Sequence, residues 1–210
     1  MKGPATASLG VALAFLGACV PFSEPTVSYP LTEDAMVEIP ASYAVYDGDL
    51  EAFIDAAASQ DLNDAEREYL SALREWGLHA STPFLMAFRA GSRGDSGTEI
   101  VFITEGGPPI DWSSFPEDEW LKSGVPPGVE QASVEFTSVS GADAVFLRYF
   151  DPSAGVGDRL PVGWWATILR FNSGDRTYTI SATTPSAPSQ ALDSVLIEIA
   201  ESVRPMENDR

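Results

Sequence analysis

Trp164-Trp165-Ala166-Thr167-Ile168-Leu169-Arg170-Phe171, then Asn172-Ser173-Gly174-Asp175, then Thr177-Tyr178-Thr179-Ile180-Ser181-Ala182, is the stretch that decides the fold. Two apolar, β-branched and aromatic runs flank a short Asn/Ser/Gly/Asp cluster, and that pattern predicts a β-hairpin. Upstream, Val129 to Thr137 alternates, with Ala132, Val134 and Phe136 on one side. It pairs with Ala142 to Phe150 around Ser140-Gly141, which gives a second antiparallel hairpin. Downstream, Leu192, Val195, Leu196, Ile199 and Val203 recur at helical spacing over Gln190 to Val203, an amphipathic closing helix.

Further out, Phe84-Leu85-Met86-Ala87-Phe88 is a continuous apolar run, as expected of a strand covered on both faces. A Gly/Ser turn at Gly91-Ser92-Arg93-Gly94-Asp95-Ser96-Gly97 leads to Glu99-Ile100-Val101-Phe102-Ile103-Thr104. Before these come two helices. Asp49 caps one with Leu50, Phe53, Ile54 and Ala57 inward; Asn63 and Glu66 form a capping box for one with Tyr69, Leu70, Leu73 and Trp76, ended by Gly77. Asp111 to Leu121, with Trp112, Phe115 and Trp120, predicts a short helix over a sheet face. Met36 to Pro40 reads as the first strand, and Tyr43 to Tyr46 as a second short extended piece. Hairpins, an early helical pair and a C-terminal helix make the class α+β, an antiparallel sheet packed between helices.

The N-terminus carries a different kind of signal. Lys2 precedes an apolar run from Leu9 to Leu16, followed by small residues. That run suits a secretory signal and is well short of the roughly 20 apolar residues a membrane span needs. Leu16-Gly17-Ala18-Cys19 resembles the lipobox of bacterial lipoproteins, and Cys19 is the chain's one cysteine. The resemblance implies cleavage before Cys19 and acylation of its thiol, with Leu16, Gly17 and Ala18 forming the cleavage site. Two or three acyl chains, at about 0.8 kcal/mol per buried methylene, hold a protein on a bilayer almost permanently. Val20 is not the aspartate that retains such proteins on an inner membrane, so outer-membrane sorting is permitted where the host has two membranes. The expected organisation is a signal peptide at 1–18, a lipidated tether at 19–32 rich in Pro and Ser, a single domain at 33–205, and a disordered tail at 206–210.

Composition bounds the partners. A formal net charge of −19 opposes nucleic acid, and the expected partners are a membrane through the Cys19 lipid and an unidentified envelope protein. The acids are scattered, the pattern of a solvated surface, and no calcium-loop spacing occurs; Tyr46-Asp47-Gly48-Asp49 only gestures at one. No metal, cofactor or catalytic constellation is legible. His79 is the sole histidine, no Gly-x-Ser-x-Gly elbow exists, and zinc lacks ligands. Glu117-Asp118-Glu119 reads as a helix start rather than a glycosidase pair, Gly106-Gly107-Pro108-Pro109 lacks the lysine of a phosphate loop, and Arg93-Gly94-Asp95-Ser96 is a coincidental tetrapeptide in a turn. The expectation is a non-enzymatic binding or accessory domain of the cell envelope; the alternative is a small-molecule or cation-binding lipoprotein serving a transporter, and the second alternative an envelope hydrolase. Trp164-Trp165 is the remaining clue: neighbours on a strand point to opposite faces, so at most one readily enters a one-sided core, and the pair is the candidate binding surface.

Several phrases resemble the PsbP-like superfamily, which includes a photosystem extrinsic subunit, a Ran-binding import factor and small bacterial lipoproteins. They are Phe84 to Phe88, Val139 to Tyr149, Tyr178 to Thr184, and Ser202-Val203-Arg204 after the last helix. The resemblance implies an α/β/α sandwich with a bent antiparallel sheet and a binding or assembly role without catalysis. It carries over no ligand residue.

Overall fold

The structure, a computed structural model, describes residues 24–46, 48–76, 84–91, 98–114, 116–152, 163–185 and 187–206. The deciding hairpin is there. Strand β8, Trp164–Ser173, pairs antiparallel with β9, Arg176–Thr184. Its turn is Gly174-Asp175 with Gly174 at φ 60°, the positive value that a two-residue turn opening on glycine requires. The upstream hairpin joins β6, Glu130–Val139, to β7, Ala142–Asp151. Here both turn residues, Ser140 and Gly141, have positive φ, which matches the right-handed twist of the strands.

The remaining strands are β1 Thr26–Pro30, β2 Ala35–Pro40, β3 Ala44–Tyr46, β4 Phe84–Arg89, β5 Glu99–Glu105 and β10 Arg204–Pro205. They form a seven-stranded sheet in the order β3-β4-β5-β9-β8-β7-β6 and a three-stranded sheet in the order β1-β2-β10. Every pairing is antiparallel. Among the described residues four helices accompany them: α1 Leu50–Ala58, α2 Asp64–Trp76, α3 Glu117–Gly124 and α4 Gln190–Glu201. The fold is α+β, with helices on both faces of the large sheet.

Strand β4 shows why. Leu85 and Ala87 enter one core with α4 and the small sheet, while Met86 and Phe88 enter another with α1 and α2. An apolar run with no polar alternation fits a strand whose two faces are both covered. In the first core Leu192, Leu196 and Ile199 of α4 meet Val37, Ile39, Leu169, Phe171 and Ile180, each burial worth roughly 1.5–3 kcal/mol. In the second, Phe53, Ile54 and Ala57 of α1 and Leu70 of α2 cover Met86, Phe88 and Ile100. A third small core, Trp112, Trp120 and Val145, lies under α3 and the preceding 3-10 turn Trp112–Ser114.

Two expectations are corrected. The segment 19–32 was expected to be a tether, yet Thr26–Pro30 is β1, hydrogen-bonded to β2 with Val27 opposite Ile39 and Tyr29 opposite Val37. Pro25 and Pro30 disguise it. Proline cannot donate to a ladder, but β1 is an edge strand and its outer side needs no donor. Leu31 is buried in the first core as well, so the folded domain begins before residue 33. The alternation of β6 does not bury its apolar side: Val134 packs on the tryptophan core, but Phe136 is 49% exposed. As the outermost strand, β6 extends beyond its helical cover.

Candidate functional site

Strands β5, β9 and β8 bury one face and half-expose the other, while β7 is buried on both faces over residues 144–147. On β8, Thr167, Leu169 and Phe171 are buried while Trp164, Ala166, Ile168 and Arg170 are half-buried. On β9, Tyr178, Ile180, Ala182 and Thr184 alternate with half-buried Thr179, Ser181 and Thr183. On β5, Val101 and Ile103 alternate with half-buried Phe102 and Thr104. The register aligns the half-buried residues across the sheet: Tyr149, Ala166 and Thr183 make one row, ending on buried Ile100, and Ile168, Ser181 and Phe102 the next, flanked by buried Leu147. The following row is Arg170, Thr179 and Thr104, flanked by buried Val145.

The cause is the spacing of the helices. On this face α1 and α2 cover the β3–β4 end, and α3 with its 3-10 turn covers β6 and β7. Among the described residues the strip between them carries no helix. Its two walls are fixed. Glu66 of α2 accepts hydrogen bonds from the Asn63 amide at 2.7 Å, the Gly91 amide at 3.0 Å and the Thr98 hydroxyl, tying α2 to the connection between β4 and β5. On the other side Gly124 of α3 sits so close to Leu147 that a Cβ there would lie 2.7 Å from its Cδ2. At the edge, Asn172 Nδ2 donates to the Ile110 carbonyl at 2.8 Å and its Oδ1 accepts from the Ile110 amide at 3.1 Å, holding the loop before α3.

Arg170 is the one charged group on these rows. Its guanidinium carbon lies 5.4 Å from the centroid of the Trp120 ring, a cation–π distance. Burial pulls its pKa below the usual arginine value, opposed by the nearby Tyr149 phenol, though an arginine remains protonated at neutral pH. Burial in turn pushes Tyr149 up, helped by Asp151 and opposed by Arg170. Arg67, Arg74, Arg89, Arg148, Arg176 and Arg204 each pair with a carboxylate. Among the described residues, no carboxylate pairs with Arg170.

The residues expected to matter fare differently. Trp164 and Trp165 do lie on opposite faces and so do not form one surface. Trp164 packs at the edge of the α1–α2 core and borders the open strip; Trp165 meets Phe150 on the other face, ring centroids 5.5 Å apart. Cys19, Leu16, Gly17 and Ala18 lie outside the described residues, as do His79, Phe115 and Arg93-Gly94-Asp95-Ser96. Glu117 and Glu119 stand exposed at the start of α3, where a helix favours acids. Gly106 and Gly107 extend the β5–β9 ladder through Thr177. Among the described residues no three His, Cys, Asp or Glu side chains are grouped to hold a metal, and no helix is long and apolar enough to cross a membrane. Sequence reasoning missed Arg170 and the strip. The legible signals were a lone arginine in an otherwise apolar strand and the alternation Thr179-Ile180-Ser181-Ala182-Thr183, polar on one face only.

No family model matches this chain, and no curated protein does. Among solved structures it is similar to a protein from Bacteroides thetaiotaomicron VPI-5482, with 8% identity and a TM-score of 0.42. The match covers 84% of this chain and 46% of that one, so this chain spans about half that protein's length.

Proposed function

We propose that this is an extracytoplasmic lipoprotein, anchored through Cys19, whose domain is a non-catalytic binding or accessory module of the cell envelope and presents the open strip of its large sheet to what it binds. The observation that carries the reading is the strip itself: half-buried aromatic, hydroxyl and cationic side chains in register between two fixed helical walls. Exposed apolar side chains rimmed by polar ones mark binding surfaces, and among the described residues no helix covers this mixed face. The anchoring half rests on the lipobox-like Leu16-Gly17-Ala18-Cys19, and the binding role agrees with the PsbP-like phrases of the sequence.

The test places a photo-cross-linking amino acid at Ser181, in the strip, and in a control at Glu198 on α4, in the full chain within native membranes. The expected result is capture of one stoichiometric envelope protein from Ser181 and not from Glu198, with Cys19→Ser moving the protein to the soluble fraction. Membrane association unchanged in Cys19→Ser would refute the anchor. Hydrolytic activity lost on a single acid substitution would refute the non-catalytic reading. A second reading, a small-molecule-binding lipoprotein serving a transporter, is favoured by Arg170 and is developed below.

A further inference from the structure

Arg170 breaks the charge economy of the molecule. In a chain of net charge −19, a guanidinium has acids available on every side, and the other described arginines use them. Arg170 instead rises from the middle of a central strand, half-buried, with Val145 and Thr179 beside it on the neighbouring strands. Its guanidinium carbon stands 5.4 Å from the centroid of the Trp120 ring, and its neighbourhood includes the Tyr149 phenol. A guanidinium is a fork of five donors, and an aromatic ring offers them no lone-pair acceptor. Partly desolvated donors of this kind gain most from a planar, bidentate acceptor.

The strip also has a direction. From Arg170 toward Trp164 it runs over Ile168 and Ala166 on β8, with Ser181 and Phe102 in the Ile168 row. That is about 20 Å of strand at about 3.3 Å per residue, cationic at one end and apolar along β8, with the Ser181 and Thr183 hydroxyls beside it on β9. An occupant must therefore carry an anion at one end and an apolar body behind it.

We infer that the strip binds a small amphipathic carboxylate, its carboxylate held by the Arg170 fork with the Tyr149 hydroxyl as a further donor, and its apolar body laid on Ile168 and Ala166 toward Trp164. Two other groups bear on this head position. Asp151, close to Tyr149, opposes any anion there, and opposes a doubly charged phosphate more than a monoanion. Thr179, half-buried next to Arg170 in the register, supplies a neutral hydroxyl. The inference rests on the reading of the strip as a binding face.

The experiment is calorimetric titration of the full chain carrying Cys19→Ser with two probes, 4-phenylbutyrate and its uncharged counterpart 4-phenylbutanol. The expected result is binding of the carboxylate at least about ten-fold tighter than the alcohol, the scale of one charge-assisted contact. Arg170→Met should abolish that preference while leaving the melting temperature within the range of ordinary surface substitutions, and Arg170→Lys should keep only part of it. Ile168→Asn should weaken both probes together. Equal affinities for the two probes, no binding of either, or a preference that survives Arg170→Met would overturn the inference. The wild-type comparison decides the matter even if a variant fails to fold. No carboxylate binding alongside capture of an envelope protein from Ser181 would overturn the ligand class alone. Carboxylate binding without capture would instead refute the protein-partner reading.

Discussion

Gly163 shows how one residue controls packing at the start of β8. It stands immediately before Trp164 at φ 81°, a conformation that side chains rarely adopt. A Cβ there would lie 2.2 Å from Cζ of Phe150, the residue opposite Trp165 in the β7–β8 ladder. That ring has nowhere simple to go, because it is already packed against the Trp165 indole. Gly163→Ala therefore combines backbone strain with overpacking, and the expected loss is about 2–4 kcal/mol. Urea unfolding checks it: a midpoint within error of wild type would mean that Phe150 swings aside freely. The aromatic contact also predicts where recovery lies. Phe150→Ala in the Gly163→Ala background should restore part of the lost stability, whereas Phe150→Ala alone costs stability, a non-additivity expected only of residues in contact.

At the level of elements, the α2 start does two jobs. Asn63 Oδ1 accepts from the Glu66 amide at 3.0 Å and Glu66 accepts from the Asn63 amide, the reciprocal pair of a capping box. Glu66 is 3% exposed and also accepts from Gly91 and Thr98. Asn63→Ala should cost about 1 kcal/mol, the ordinary loss of a cap. Glu66→Ala should cost about 2–4 kcal/mol, because the Thr98 hydroxyl and the Gly91 amide lose an acceptor inside the protein. Equal losses in chemical denaturation would mean that Glu66 acts as a cap and nothing more. This element also marks what a sequence shows and what it hides. The Asn63–Glu66 spacing announces the helix start, and the periodicity of α4 and the run Phe84 to Phe88 announce a covered sheet. Glu66's contacts with Gly91 and Thr98 are invisible, being 25 and 32 residues away in sequence. Strand β1 hides behind its prolines for a related reason: partner and edge position, not local propensity, make it a strand. The candidate site was half legible. Trp164 stands out by composition, but the strip exists only because α2 and α3 stop short of one another, which is a property of packing.

For the whole molecule, the consequence of scattered acidity and scarce cations appears at high pH. Four tyrosines, Tyr43, Tyr69, Tyr149 and Tyr178, hold their protons more firmly than free tyrosine, and burial is the largest cause in each case. Tyr69 is pushed up to about 12; Tyr43, whose hydroxyl donates to the buried Glu99 carboxylate, is raised further. The sign follows from the unfolded chain, in which tyrosines ionise near pH 10. Below that pH both states keep the protons and these groups leave stability unchanged. Above it the unfolded state loses protons that the folded state retains, so stability falls as pH rises through 10 toward 12. For Tyr69 alone the fall approaches a few kcal/mol at the upper end. The net charge of −19 deepens it, since each new phenolate joins an already repulsive field, and added salt should relieve that part by screening. Thermal unfolding between pH 8 and 12, with tyrosinate absorbance followed on the same samples, separates the contributions. The tyrosinate that Tyr69→Phe removes should appear together with unfolding rather than before it, and that substitution should make the alkaline decline shallower. A phenolate signal near pH 10 that Tyr69→Phe removes, in a protein that stays folded, would mean that this ring is open to solvent, and the core around Tyr69 and Phe88 would then have to be looser than their 6.4 Å stacking indicates.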